Sequence, residues 1–183
     1  MEQEIQDVSI KRIQEALPLL KGIENDLIID YSEYSMPNDK HPIHRYPIRF
    51  DGLYIGLREK GKARFSINLK EFNVGSNDLV ICSPGDLVQA SLQDGIHLVQ
   101  SMMVSSHFLK EMYISLNSFM PFFASQKEHP VFHLTDSEMA ELKNYFMLIK
   151  ENVTSDDYFR VDTTKRLLAA YLYKLGSILY RHR

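Results

Sequence analysis

Tryptophan is missing from this 183-residue chain, cysteine occurs once, and neither charge sign dominates. The single thiol, Cys82, excludes a disulfide within the chain, and its place in an apolar run suits a small core residue in a reducing compartment. Lys and Arg number 21 against 24 Asp and Glu, a net charge of −3, so the chain lacks the basic balance of a nucleic-acid-binding domain. No apolar run reaches the roughly 20 residues that span a bilayer. The start, Met1-Glu2-Gln3-Glu4, has neither the basic residues nor the apolar stretch of a secretion signal. The expectation is a soluble, cytoplasmic protein with no membrane partner. Glycine-rich phosphate loops after a strand, HExxH and an ordered Ser–His–Asp set are also missing, which removes the usual footing for catalysis.

What is present is apolar and aromatic. Hydrophobic residues make up 44% of the chain, with ten Tyr and ten Phe, enough for one sizeable core. Apolar spacing over Ile5–Lys21, broken by Pro18, predicts a short N-terminal helix or arm within residues 1–25. Asp26 to Tyr34 alternates as a first strand. Pro37, Pro42 and Pro47 make Tyr34 to Asp51 a loop with at most edge strands near Ile48 and Phe50. Leu53–Arg58 and Ala63–Leu69 read as two arms of a hairpin about Glu59-Lys60-Gly61-Lys62, with Ala63, Phe65, Ile67 and Leu69 on one face. Phe72–Val74, Leu79–Cys82, Val88–Ser91 and Ile96–Ser105 continue the pattern. Strands about 8–12 residues apart with turn residues between them indicate a sandwich or small barrel over residues 26–105.

Helical spacing takes over in residues 106–183. Ser105 or Ser106 caps a helix to about Leu116, and a second short one is expected around Phe119–Ala124. Thr135-Asp136-Ser137-Glu138 is a capping box opening a helix to about Asn152. Ser155-Asp156-Asp157 begins the last and longest helix. Along it Thr164, Leu168, Tyr171, Leu175, Ile178 and His182 follow a four-three spacing, backed by Leu167, Leu172 and Leu179. That stripe can pack on the barrel or on a second copy of the chain. We expect a homodimer with Leu168, Tyr171, Leu175 and Ile178 in the seam.

Candidate ligand-binding residues are His44 in the proline-rich loop and Arg49, Tyr54, His97, Ser101 and Met103 on or beside the front and last strands. Arg58 and Arg64 lie nearby, and arginine suits an anionic ligand through paired hydrogen bonds. His41 and His44 fall three apart in a loop without the further ligands a metal needs, so neither metal nor cofactor is expected. Asp78 and Asp86 bracket one strand, where carboxylates commonly cap turns. No catalytic residue is proposed.

The stretch Val74-Gly75-Ser76-Asn77-Asp78-Leu79-Val80-Ile81-Cys82-Ser83-Pro84-Gly85-Asp86 has the turn–strand–turn layout of the second half of a cupin barrel. With the proline-rich front before it and helices after it, the chain from about residue 20 resembles the N-terminal sensory and dimerisation domain of AraC-family transcription regulators. The resemblance implies an α+β fold, with a cupin-like antiparallel jelly-roll barrel followed by C-terminal helices. It also implies a small effector in the barrel, dimerisation through the helices, and DNA contacted only by a separate helix-turn-helix domain beyond Arg183. Sugar-sensing members carry histidines after the turn matching Pro84-Gly85 and aromatics on the strand matching Val99–Met103. Here Leu87-Val88-Gln89 and Val99-Gln100-Ser101-Met102-Met103 stand instead, favouring an apolar or amphipathic effector, or none. A metal-dependent cupin enzyme (isomerase or dioxygenase) and a stand-alone small-molecule-binding cupin are the alternatives.

Overall fold

A computed structural model describes residues 5–35, 42–112, 114 and 128–182. In chain order these form β1 (Gln6–Val8), α1 (Ile10–Ala16), β2 (Lys21–Ile23), β3 (Leu27–Asp30), β4 (Glu33–Ser35) and a 3-10 turn (Pro42–His44). Strands β5 (Ile48–Phe50), β6 (Gly52–Lys60), β7 (Ala63–Ile67), β8 (Lys70–Val74), β9 (Asp78–Cys82), β10 (Leu87–Leu92) and β11 (Ile96–Ser105) follow. Then come α2 (Ser106–Glu111), β12 (Val131–His133), α3 (Asp136–Val153) and α4 (Arg160–Arg181). The strands make two sheets. The smaller runs β1-β5-β10-β7-β8; the larger runs β12-β9-β6-β11-β3-β2, with β4 also on β11. Apart from the parallel β1–β5 pair, the pairings are antiparallel. This is a cupin-like jelly roll followed by helices.

Each strand of the larger sheet serves two masters, because successive side chains leave opposite faces. Leu53, Ile55 and Leu57 of β6, with Leu79, Ile81, Met102 and Val104, pack outward under Leu142, Phe146 and Ile149 of α3 and Leu168, Tyr171 and Leu175 of α4. Ile28, Val80, Cys82 and Met103 point inward and meet Ile48, Phe50, Phe65, Val88 and Ala90 from the smaller sheet. The single core expected from composition is thus two apolar layers separated by one sheet. Full burial of such side chains stabilises by roughly 1.5–3 kcal/mol each.

The expected hairpin between β6 and β7 does not form. β6 pairs with β9 and β11 in one sheet, and β7 with β8 and β10 in the other. The chain turns the corner at Gly61, whose φ of +87° a side chain would resist and whose added Cβ would meet the His97 ring at 2.4 Å. Period-two alternation is the same whether the next strand returns to the same sheet or crosses to its opposite. The true hairpin is β7–β8, where Asn68 and Leu69 both take positive φ (49° and 69°) in a two-residue turn. Leu69 is therefore 85% exposed rather than on the strand's apolar face.

Other boundaries shift as well. The N-terminal helix is only α1, preceded by β1 and followed by β2, each tied to a sheet by backbone hydrogen bonds. The first strand breaks between Asp30 and Glu33 into β3 and β4. Ser105 caps α2, which ends at Glu111. The helix expected around Phe119–Ala124 lies outside the described residues. The Thr135 capping box forms with both reciprocal hydrogen bonds. α4 starts later than Ser155, with Phe159 before it and no side-chain cap. β12 has no signal in the sequence; three residues of mixed polarity become a strand only by pairing with β9. Among the described residues, no helix is long and apolar enough to cross a membrane.

Candidate functional site

Between the two sheets lies a cavity of about 470 Å³. Its apolar wall includes Ile48, Phe50, Phe65, Val88, Ala90 and Met103, and Leu17 to Leu20, which connect α1 to β2, border it too. Strand register sets out the larger sheet's side of the cavity in rows. Met103 lies opposite Ile28 and Tyr54; Ser101 opposite Asp30 and Gly56; Val99 opposite Arg58; His97 opposite Tyr34. The first row is apolar apart from the tyrosine hydroxyl. The later rows gather Ser101, Asp30, Arg58 and Tyr34 at one end.

Four of the six candidate residues line this cavity: His44, Tyr54, Ser101 and Met103. His44 Nδ1 contacts the Ala90 carbonyl at 3.1 Å. Tyr54 lies along the floor with its hydroxyl over Gly56, where an added Cβ would come within 2.5 Å of it, and reaches the Ser101 side chain. Burial pushes the Tyr54 phenol well above its ordinary value. Arg49 is on the exposed side of β5, away from the cavity. His97 is fully buried behind the wall. Its Nε2 lies 2.6 Å from the Gln93 carbonyl and its Nδ1 2.9 Å from Arg58 Nη1. A carbonyl only accepts and a guanidinium only donates, so this ring carries its proton on Nε2 and accepts on Nδ1. Both nitrogens are occupied. His97 is a support for Arg58.

The pairing of His41 with His44 rests on a residue outside the described ones. Among the described residues, no three His, Cys, Asp or Glu side chains are grouped as metal ligands. Asp78 and Asp86 serve their turns: Asp78 accepts from the Gly75 amide at 2.7 Å and Asp86 from the Ser83 amide at 2.7 Å. Cys82 lines the cavity, and burial, reinforced by the Asp86 charge, pushes its thiol far up.

Arg58, Asp30 and Tyr34 also line the cavity, and strand position in the sequence does not single them out. Arg58 shares a face of β6 with Tyr54, two rows along, a period-two relation available once Tyr54 is chosen. Asp30 and Tyr34 sit on strands whose break between them disrupts that period. Burial raises the Asp30 carboxyl above its ordinary range, against the opposing pull of Ser32, Lys150 and a backbone amide. Burial likewise pushes the Tyr34 phenol up, with the Arg58 charge opposing it. Tyr34 stacks on His97 with ring centroids 5.4 Å apart.

The candidate dimerisation residues are placed inside the chain. Leu168, Tyr171 and Ile178 are fully buried and Leu175 nearly so, all in the layer between the larger sheet and α3.

No protein-family model and no curated protein matches the sequence. Solved structures do. The chain is similar to the AraC-like transcriptional activator CuxR at 16% identity and a TM-score of 0.45, over 81% of this chain and 52% of that one. It is similar to ToxT from Vibrio cholerae O395 bound to (E)-4-(8-methylnaphthalen-1-yl)but-3-enoic acid at 11% identity and a TM-score of 0.42, over 83% of this chain and 55% of that one. The cupin domain of Cnp3 from Schizosaccharomyces pombe matches at 10% identity and a TM-score of 0.36, over 50% of this chain and 65% of that one. The chain spans about half the length of the AraC-like proteins it matches.

Proposed function

We propose that this chain is the effector-binding portion of an AraC-type transcription regulator acting in the cytoplasm. The observation that carries the reading is the cavity between the sheets: about 470 Å³, apolar along most of its wall, with Ser101, Asp30, Arg58 and Tyr34 in neighbouring rows at one end. That is the form of a small-molecule site, in which apolar surface supplies affinity and a few placed polar groups supply orientation. His44, Tyr54, Ser101 and Met103 contact the ligand. Binding, not catalysis, suits these groups, since His97 is spent on Arg58 and Gln93 and burial keeps the Cys82 thiol protonated.

A route from cavity to helices runs through the next residue of β6. Arg58 lines the cavity, while Glu59 meets Tyr31 at 2.8 Å, Gln100 at 2.8 Å and Lys143 of α3 at 3.0 Å. A ligand that shifts β6 therefore shifts the seat of α3, and with it α4. Two copies associate through the exposed side of α4, since its apolar stripe is used within the chain. Regulated DNA contact belongs to a separate helix-turn-helix domain of the regulator, and coupling of this type is typically about 1–3 kcal/mol.

A thermal-shift screen of small amphipathic metabolites tests the reading. A ligand present at about 100 times its Kd stabilises the folded state by about 2.7 kcal/mol. Ala90→Leu, which fills part of the cavity, should abolish the shift. A diverse library with no binder, or stoichiometric iron, manganese or zinc in the purified protein, would sink the proposal.

A further inference from the structure

The polar end of the cavity holds two opposite charges that do not neutralise each other. Arg58 is 4% exposed, and its Nη1 meets the Lys60 carbonyl at 3.3 Å and His97 Nδ1 at 2.9 Å, with the Tyr34 side chain also against it, none of them a carboxylate. Its Nε has no hydrogen-bond partner among the described residues. Asp30 stands on the same wall, and its carboxylate accepts from Ser32 Oγ at 3.1 Å. The two side chains come from strands on opposite flanks of β11, in adjacent rows, with Ser101 and the Tyr54 hydroxyl between them over Gly56. A desolvated guanidinium without a carboxylate partner is unfavourable unless something supplies one. The cavity is the place from which it can come.

We propose that this end of the cavity recognises a dipolar molecule: an acidic group set against Arg58, a donor (ammonium or hydroxyl) set against Asp30, and an apolar body lying toward Ile48, Phe50, Phe65 and Met103. This rests on the reading of the cavity as a ligand site and names the ligand's class. A simple anion would satisfy Arg58 but face the Asp30 carboxylate unopposed. A simple cation would meet the reverse difficulty. A purely apolar molecule would bring an opposite charge to neither residue. Only a ligand with both groups answers both residues, and the Tyr54 and Ser101 hydroxyls can donate or accept between them.

Four probes with the same aromatic body separate these cases by calorimetry and thermal shift on the whole chain: phenylalanine (both groups), 3-phenylpropanoate (acid alone), 2-phenylethylamine (donor alone) and ethylbenzene (neither). The expected result is that phenylalanine binds at least tenfold more tightly than either singly charged probe. In Arg58→Gln its affinity falls to that of 2-phenylethylamine, whereas Arg58→Lys keeps the preference for an acid. In Asp30→Asn the advantage over 3-phenylpropanoate disappears, and 3-phenylpropanoate itself binds more tightly as the repulsion is lifted. The wild-type comparison stands even where a variant fails to fold. Equal binding of all four probes, or strongest binding of ethylbenzene, would overturn the dipolar assignment and leave the cavity as a ligand site. Binding of none of them would overturn the assignment, and a diverse library that also gave no binder would remove the site itself.

Discussion

Tyr171 offers the sharpest test of how the helices pack on the larger sheet. Its ring is fully enclosed between the larger sheet and the helices, and its hydroxyl has no hydrogen-bond partner among the described residues. Burial accordingly drives the phenol's pKa upward. A hydroxyl buried without a partner costs about 1–3 kcal/mol. Tyr171→Phe removes that penalty and keeps the ring. What it gives up is the few dispersion contacts of one oxygen, about 0.1–0.2 kcal/mol apiece. The net expectation is a gain of about 1 kcal/mol, or a Tm higher by about 2–4 °C in a chain of this size. Tyr171→Ala, which also empties the ring's space, should lose about 3–5 kcal/mol. The chain has no tryptophan, so urea unfolding followed by far-ultraviolet circular dichroism is the suitable assay. The phenylalanine variant should shift the midpoint upward at unchanged slope. A loss above about 1 kcal/mol at constant slope would refute the reasoning, since it would mean that the hydroxyl is satisfied. Protein concentration adds a second check. A residue in a seam between two copies would make the effect of substitution concentration-dependent; a residue buried within one chain gives the same ΔΔG at every concentration.

Glu138 closes the capping box and meets His182 at 2.9 Å, and although burial disfavours its charge, the Thr135 amide and His182 hold its carboxyl at about 2. A depressed acid contributes stability above its ordinary value of 4.5 and loses it as pH falls from there toward 2, so the deficit of Glu138→Gln in urea melts should be full at pH 7 and vanish near pH 2. Thr135→Ala removes the other half of the box and should cost about 1 kcal/mol by the same melts. Gly61→Ala puts a side chain at φ +87° and against the His97 ring, so it should destabilise by more than about 1 kcal/mol, whereas an unaltered midpoint would show that the corner is not strained. Cys82 should resist maleimide at pH 8 in the folded protein and react fully in guanidinium; rapid native labelling would contradict its enclosure.

Strands β7, β9, β10 and β11, the Thr135 capping box and the change from period two to helical spacing near Ser105 were legible in the sequence because each is a local signal. Alternation is set by one strand's own faces, and a cap by residues three apart. Which strand lies beside which is a different kind of information. The crossing of the chain at Gly61 from larger to smaller sheet leaves no trace in the pattern of β6 or β7, since β6 is buried on both faces and β7 on alternate residues whichever strand lies beside them. The stripe of α4 shows the same limit: four-three spacing says that a helix face is buried, and only the packing of α3 and the larger sheet decided that it is buried at home. The cavity is tertiary in full. Tyr54 and Ser101 could be chosen from strand position, but the meeting of Arg58 with His97, 39 residues later, and the facing of Arg58 and Asp30 across β11 depend on register between distant strands. Sequence by itself determined the longer strands and helices and which of their sides are apolar, but not the short strands β1, β2 and β12, which exist only through their partners. Tertiary structure decided what those sides meet, because hydrophobic burial has no direction and the pairing of strands is settled only when all of them compete for the same space.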